Sequence, residues 1–316
     1  MNTATRVGAF GAGLVVAFGA ALGAGRLVGP LDTVAAPAPH TEMSTDGHPA
    51  DPGGHASEGD QHTDTHQDPG GGTSATPAGL SSTDQGYRLV PGATTLAASK
   101  AARVTFQVLG PDGRPVTGFT TAHEKKLHLV VVRRDLSGFQ HVHPTMAADG
   151  TWSVSLDLGR PGQWRMFADF DPDGDTEGLV LGTDLAVPGD YSPVALPAPA
   201  RTTTADRYAV QLTGSLDPAT AQRLDLAVSD DSGRPVDLEP YLGADGHLVV
   251  LREGDLAYAH AHPVHATTVG DSASGATVGF RVEPPGPGRY RAFLDFKVAG
   301  TVHTAAFTLD AAGGTP

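Results

Sequence analysis

The chain has 316 residues with no cysteine, 41 Gly, 25 Pro and 14 His, and 39% of it is hydrophobic, enough for one or two modest cores. Without cysteine there are no disulfides, thiolate zinc sites, iron–sulfur clusters or cysteine nucleophiles, so any metal chemistry must use His, carboxylate or Met. Lys and Arg total 21 against 35 Asp and Glu, a formal charge of -14, and that balance repels phosphate backbones and sets nucleic acid aside as a partner.

Arg6 and Arg26 bracket an uncharged run, Val7 to Gly25, rich in Gly and Ala and carrying Leu14, Val15, Val16, Phe18 and Leu22. Residues 1–28 therefore read as a signal peptide or a transmembrane anchor helix, with cleavage left open. No second apolar run of that length follows. The remainder is expected outside the cytoplasm, secreted or membrane-anchored, with membrane contact through the N-terminal helix only.

Residues 29–86 read as a disordered stalk. From 37 to 79 there is no Val, Ile, Leu, Phe, Tyr or Trp, too little apolar surface to offset the entropy of ordering the backbone. Five histidines, His40, His48, His55, His62 and His66, are interleaved with acids, and Lys and Arg are absent from Leu27 to Tyr87. Such a tract is a weak trap for divalent ions or a plain solvated spacer.

Beyond Tyr87 the sequence repeats itself. His128-Leu-Val-Val-Val-Arg133, leading to His141-Val-His143-Pro144, returns as His247-Leu-Val-Val-Leu-Arg252, leading to His260-Ala-His262-Pro263, at an offset of 119. Pro161-Gly-Gln-Trp-Arg-Met-Phe-Ala-Asp-Phe170 returns as Pro287-Gly-Arg-Tyr-Arg-Ala-Phe-Leu-Asp-Phe296. Repetition on this scale is a duplicated domain. Each copy shows about seven short alternating segments between turn signals and no helical periodicity, which predicts an all-β chain of two tandem immunoglobulin-like or cupredoxin-like β-sandwiches. The first is placed at 87–193, a Pro/Thr-rich linker at 194–205 and the second at 206–316.

With a turn at Asp135 to Gly138, Val132 faces His141 and Val130 faces His143, and the period of two puts His128, His141 and His143 on one face of a hairpin. The second copy repeats this with His247, His260 and His262, so one metal site per repeat is expected. Three residues after the second hairpin histidine stand Met146 and His265, a thioether that favours Cu(I) and an imidazole that suits Cu(II) or Zn(II). Asp169 and Asp295, each in a Phe-x-Asp-Phe frame, are candidate ligands or acceptors for an imidazole N–H. His303 is a candidate for the second site, and His123, without a counterpart, reads as a loop residue. The same histidines also fit a structural role, donating to backbone carbonyls in a strand.

The paired blocks His-Leu-Val-Val... His-x-His-Pro and Pro-Gly-x-Trp/Tyr-Arg-x-Phe-x-Asp-Phe resemble exported bacterial heavy-metal-binding proteins of the YtkA-like group, over Tyr87 to Asp310. That resemblance implies export and small β-sandwich domains. No serine-nucleophile motif, Walker loop or dinucleotide fingerprint occurs. The sequence thus points to a non-enzymatic, extracytoplasmic binder of a transition metal, copper first and zinc second, for capture or delivery. The alternative is an envelope scaffold or adhesion module with structural histidines, in which the partner is another cell-envelope protein.

Overall fold

The computed structural model describes residues 76–174, 178–218, 220–264 and 277–311. Among these residues every regular element is a strand, and no helix is long and apolar enough to cross a membrane. The expected N-terminal helix and the five stalk histidines lie outside the described residues.

The first repeat contains β1 (Thr83–Asp84), β2 (Tyr87–Pro91), β3 (Ser99–Leu109), β4 (Phe119–Thr120), β5 (His128–Arg133), β6 (Gln140–Val142), β7 (Thr145–Met146), β8 (Trp152–Leu158), β9 (Gly162–Pro172) and β10 (Leu179–Val187). They form two antiparallel sheets, β1-β2-β3-β8-β7 and β10-β9-β5-β6, with β4 on β9. Alternation explains the sandwich: Ala102, Val104, Phe106 and Val108 of β3 point inward, as do Leu129 and Val131 of β5 and Trp164, Met166, Ala168 and Phe170 of β9, and together they make one core.

The second repeat contains β11 (Thr202–Ala205), β12 (Tyr208–Thr213), β13 (Gln222–Ser229), β14 (His247–Arg252), β15 (Tyr258–Val264), β16 (Thr277–Glu283), β17 (Gly288–Val298) and β18 (Thr301–Ala311). Their order is β11-β12-β13-β16-β15-β14-β17-β18, one continuous sheet whose two halves enclose a second core. Continuity comes from β15, which pairs with β14 at its start and with β16 from His260 onward. In the first repeat the same stretch is broken: β6 stops at Val142, His143 and Pro144 belong to no strand, and β7 begins on the other sheet.

A third apolar cluster joins the repeats. Val130, Val132, Leu136, Phe167 and Val180 of the first pack with Val249, Leu251, Leu256, Tyr258 and Phe293 of the second. β5 and β14 are therefore buried on both faces, as unbroken apolar runs allow. The contacts exchange under a pseudo-two-fold relation: Phe139 stacks on Phe293 at 4.0 Å between centroids, and Phe167 meets Tyr258, the counterpart of Phe139, at 5.7 Å.

Three expectations change. Ordered chain begins before residue 87. Gly79 N donates to the Val180 carbonyl at 2.9 Å, Tyr258 N donates to the Ala78 carbonyl at 3.0 Å, and Arg165 donates from Nε and Nη2 to the Gly79 carbonyl. Main-chain bonds hold this segment, an anchor that a count of apolar side chains does not register. Gly79 has φ 73°, and a Cβ there would lie 2.6 Å from Phe167, so the close approach requires glycine.

β11 likewise starts inside the expected linker, at Thr202. The hairpin register is also shifted by two, with Val130 opposite His141 and Val131 opposite Gln140. The connecting loop is wider because Arg133 N bonds the Ser137 carbonyl, Leu136 adopts φ 60°, and Asp135 Oδ1 accepts from Ser137 N and Oγ. A shift of two preserves face parity, so the histidines stay on the predicted side.

Candidate metal centre

His128 opens β5 on the same face as Val130 and Val132 and so looks into the layer between the repeats. His141 stands across from Val130 on β6, and His143 lies just past that strand's end. Their nitrogens converge: His128 Nδ1 is 3.2 Å from His141 Nε2 and 3.2 Å from His143 Nε2, and all three ligand atoms lie within 4.8 Å of one another. Among the described residues this is the group of three His or carboxylate side chains gathered so closely.

The far side of two rings is pinned. His128 Nε2 donates to the Ala122 carbonyl at 3.1 Å, and His141 Nδ1 donates to Asp295 Oδ2 of the second repeat at 2.9 Å. Thr304 Oγ1 donates to the other oxygen of Asp295 at 2.5 Å, completing a buried acceptor. In the neutral form of each ring these partners fix the tautomer, so that His128 Nδ1 and His141 Nε2 are the acceptor nitrogens and face each other. A further proton on either ring or a cation between them gives the two nitrogens a shared partner, and a His143 protonated on Nε2 donates to His128 Nδ1 alone. Imidazole nitrogens on a tetrahedral ion at bond lengths of ~2.05 Å stand about 3.3 Å apart, which matches the 3.2 Å observed.

Burial first, with the neighbouring imidazoles adding to it, favours the neutral form of His128, His143 and His247. The His128 pKa is lowered to about 4, that of His143 to about 3 and that of His247 to about 4, in each case chiefly through desolvation. Asp169 is pushed up to about 7 by burial and then by the nearby Asp171.

The same local device carries His128 and His247. Ala122 to Lys125 and Tyr241 to Ala244 form tight turns with positive φ at both central residues. The carbonyl that opens each turn accepts from the imidazole six residues on, Ala122 from His128 and Tyr241 from His247. In the ladders His128 lies opposite Asp169, and His247 opposite Asp295.

The structure redistributes the predicted ligands. Met146 pairs with Trp152 on β7 and packs on the first core, because the chain changes sheets after Pro144. His247 turns toward the first repeat's cluster, with its ring centroid 5.9 Å from both His128 and His141. His262 stays in the ladder opposite Arg281 and is exposed. For His260 only the ladder position, opposite Glu283, is described, and His265 lies outside the described residues. His303 does not reach the centre. It pairs with Phe296, one residue out of phase with Asp295, so it faces the other way and bonds Asp206 at 2.5 Å.

His123, read as a loop residue, is indeed in a loop, yet its ring lies 5.2 Å from His247 and 6.1 Å from His128. Its membership in the cluster was not visible because Leu242 occupies the corresponding turn position in the other repeat. The apolar runs His128 to Arg133 and His247 to Arg252, uninterrupted by polar residues, were the available sign that the two repeats bury these strands against each other.

Comparison with known proteins agrees with the duplication. The profile of a family described as a domain of unknown function, DUF8832, matches residues 81–180 and again 202–313, and the chain belongs to that family. No curated protein matches it. Solved structures similar to it include the Escherichia coli adhesin FdeC, at 15% identity over 73% of this chain and 65% of that one with a TM-score of 0.24. The Yersinia pseudotuberculosis adhesin InvE is similar at 14% identity over 73% and 64% with a TM-score of 0.22, and MtrC from Shewanella baltica at 9% over 73% and 71% with a TM-score of 0.22. The chain thus spans slightly less than two thirds of the two adhesin chains. At these scores the functions of those proteins do not transfer to it.

Proposed function

We propose that this is a non-enzymatic, extracytoplasmic protein that captures or delivers a transition-metal ion, held at the histidine centre between its repeats. The observation that carries the reading is the approach of His128 Nδ1 and His141 Nε2 to 3.2 Å while the other nitrogen of each ring is bonded elsewhere, with His143 Nε2 also 3.2 Å from His128 Nδ1. An all-nitrogen set suits zinc and Cu(II). Cu(I) loses its support because the Met146 thioether packs on the first core. The resemblance to YtkA-like heavy-metal-binding proteins and the apolar N-terminal run point the same way. The Asp295–His141–ion arrangement is the usual carboxylate support of a histidine ligand, which orients the ring and raises its basicity.

One observation favours the rival, an envelope scaffold with structural histidines. His141 and Asp295 form a buried pair across the repeat interface, and a doubly protonated His141 donating to His128 Nδ1 satisfies both rings without an ion. Titration of the full chain with Zn(II) and Cu(II) against a chromophoric chelator separates the two. Metal binding predicts one tight ion per chain that disappears in His128→Ala, above any weak stalk binding. A folded wild type with no tight ion rejects the metal reading in favour of the scaffold, and a variant that keeps the ion rejects the histidine centre as its site.

A further inference from the structure

The three nitrogens of the first repeat leave one position of a four-coordinate ion open. The triad ring centroids are spaced 5.4, 4.9 and 5.1 Å, and imidazoles on a tetrahedral ion at ordinary bond lengths are spaced about 5 Å. On the side facing the second repeat stands His247, 5.9 Å from the rings of both His128 and His141. Its Nε2 is committed to the Tyr241 carbonyl at 3.0 Å, as His128 Nε2 is to Ala122. The nitrogen left to each ring is therefore Nδ1, the atom that His128 already turns toward the cluster. His123 packs edge-on against His247 with planes 88° apart and lies 6.1 Å from His128. It borders the triad less closely than His247 does.

We infer that the second repeat completes the centre: His247 supplies the fourth nitrogen through Nδ1, so that one ion is held by both repeats. This rests on the metal-binding reading above and adds to it a shared, closed coordination sphere. His247 stands outside the group whose ligand atoms lie within 4.8 Å of one another, so its ring must turn and close on the triad for Nδ1 to reach the spacing of about 3.3 Å that a tetrahedral ion sets. Asp295, on the neighbouring strand of the same repeat, already holds His141 in place. A closed four-imidazole sphere excludes substrate, as structural and holding sites do. It also makes docking of the repeats and retention of the ion one event, since ligands from both sides must be in place together.

The test is X-ray absorption on the full chain loaded with half an equivalent of zinc, so that the tight site fills before the stalk. Four imidazoles around the ion are expected in the wild type, and three with at least a tenfold weaker affinity in His247→Ala. His123→Ala is expected to keep four and the wild-type affinity. Three imidazoles and a water in the wild type overturn the inference, as does a His247→Ala protein with unchanged count and affinity. Loss of the fourth imidazole in His123→Ala assigns it to that residue and equally overturns it. If His247→Ala does not fold, the wild-type count alone decides. Should the wild type take up no tight zinc, or hold it in a way that His128→Ala leaves untouched, the parent metal reading has failed instead, a different and recognisable outcome.

Discussion

The two repeats begin from the same motif and end with different chemistry. In the first, the strand carrying the second histidine stops at Val142, and His143 leaves the ladder to meet His128 at 3.2 Å. In the second, β15 runs on through Pro263, which pairs with Phe280, and His262 is kept in the sheet opposite Arg281. A break of two residues in pairing thus decides whether an imidazole serves the cluster or the ladder. The second repeat contributes in another way: His247 and Asp295 both face the first, one beside the triad and the other bonded to it. Duplication here gave one composite centre in which the copies hold unequal shares.

The strongest challenge to this picture is to the symmetry of the interface itself. Phe167 and Phe293 occupy equivalent buried positions and meet exchanged partners, Phe293 stacked on Phe139 and Phe167 tilted against Tyr258. Replacing either with Ala is expected to lower unfolding free energy by about 3–5 kcal/mol in urea titrations. A cost under about 1 kcal/mol for one of them would mean that the repeats do not depend on this layer. Next in size comes the asymmetry of the hairpin histidines. His143→Ala is expected to weaken zinc binding by at least about 100-fold, roughly 2.7 kcal/mol, while His262→Ala changes it less than about threefold. Equal losses would restore two equivalent sites.

Much of this was legible in the sequence, and the limits were physical. Alternation in β3 and β9 and the offset of 119 gave the all-β duplicated architecture, and the period of two placed His128, His141 and His143 on one face even though the register was two residues off. Parity survives any even shift, which is why the face was right when the partner was wrong. Contacts between repeats were not legible, because local periodicity says which face is apolar and is silent on what covers it. Asp295 therefore read as a group for its own repeat, although its hydrogen bond goes to His141 of the other. Met146 misled through its spacing, since counting residues does not register a change of sheet at Pro144.

Smaller effects sharpen the electrostatic side. Because His128, His143 and His247 titrate well below the ordinary value near 6.5, the unfolded chain takes up protons there that the folded chain refuses. These three rings are then expected to cost the metal-free protein stability as pH falls from about 6.5 to about 4, offset in part by Asp169, whose pKa raised to about 7 acts in the opposite direction, and to contribute little change above 6.5. Thermal melts across that range measure it. A stability independent of pH between those values would show that the rings are already protonated in the fold. Least of all, Met146→Leu is expected to cost under about 1.5 kcal/mol and to leave ion preference untouched, as a volume-conserving change on the first core. A shifted Cu(I) affinity in that variant would return the thioether to the centre.

The central claim is that an ion sits where the lone pairs of His128 Nδ1, His141 Nε2 and His143 Nε2 meet, between the repeats. It is tested most directly by anomalous diffraction at the zinc edge from crystals of the zinc-loaded protein. The account predicts a single strong peak about 2 Å from all three nitrogens, with Asp295 still bonded to His141 Nδ1. A peak confined to the exposed His262, or none in the cluster at full zinc loading, contradicts it.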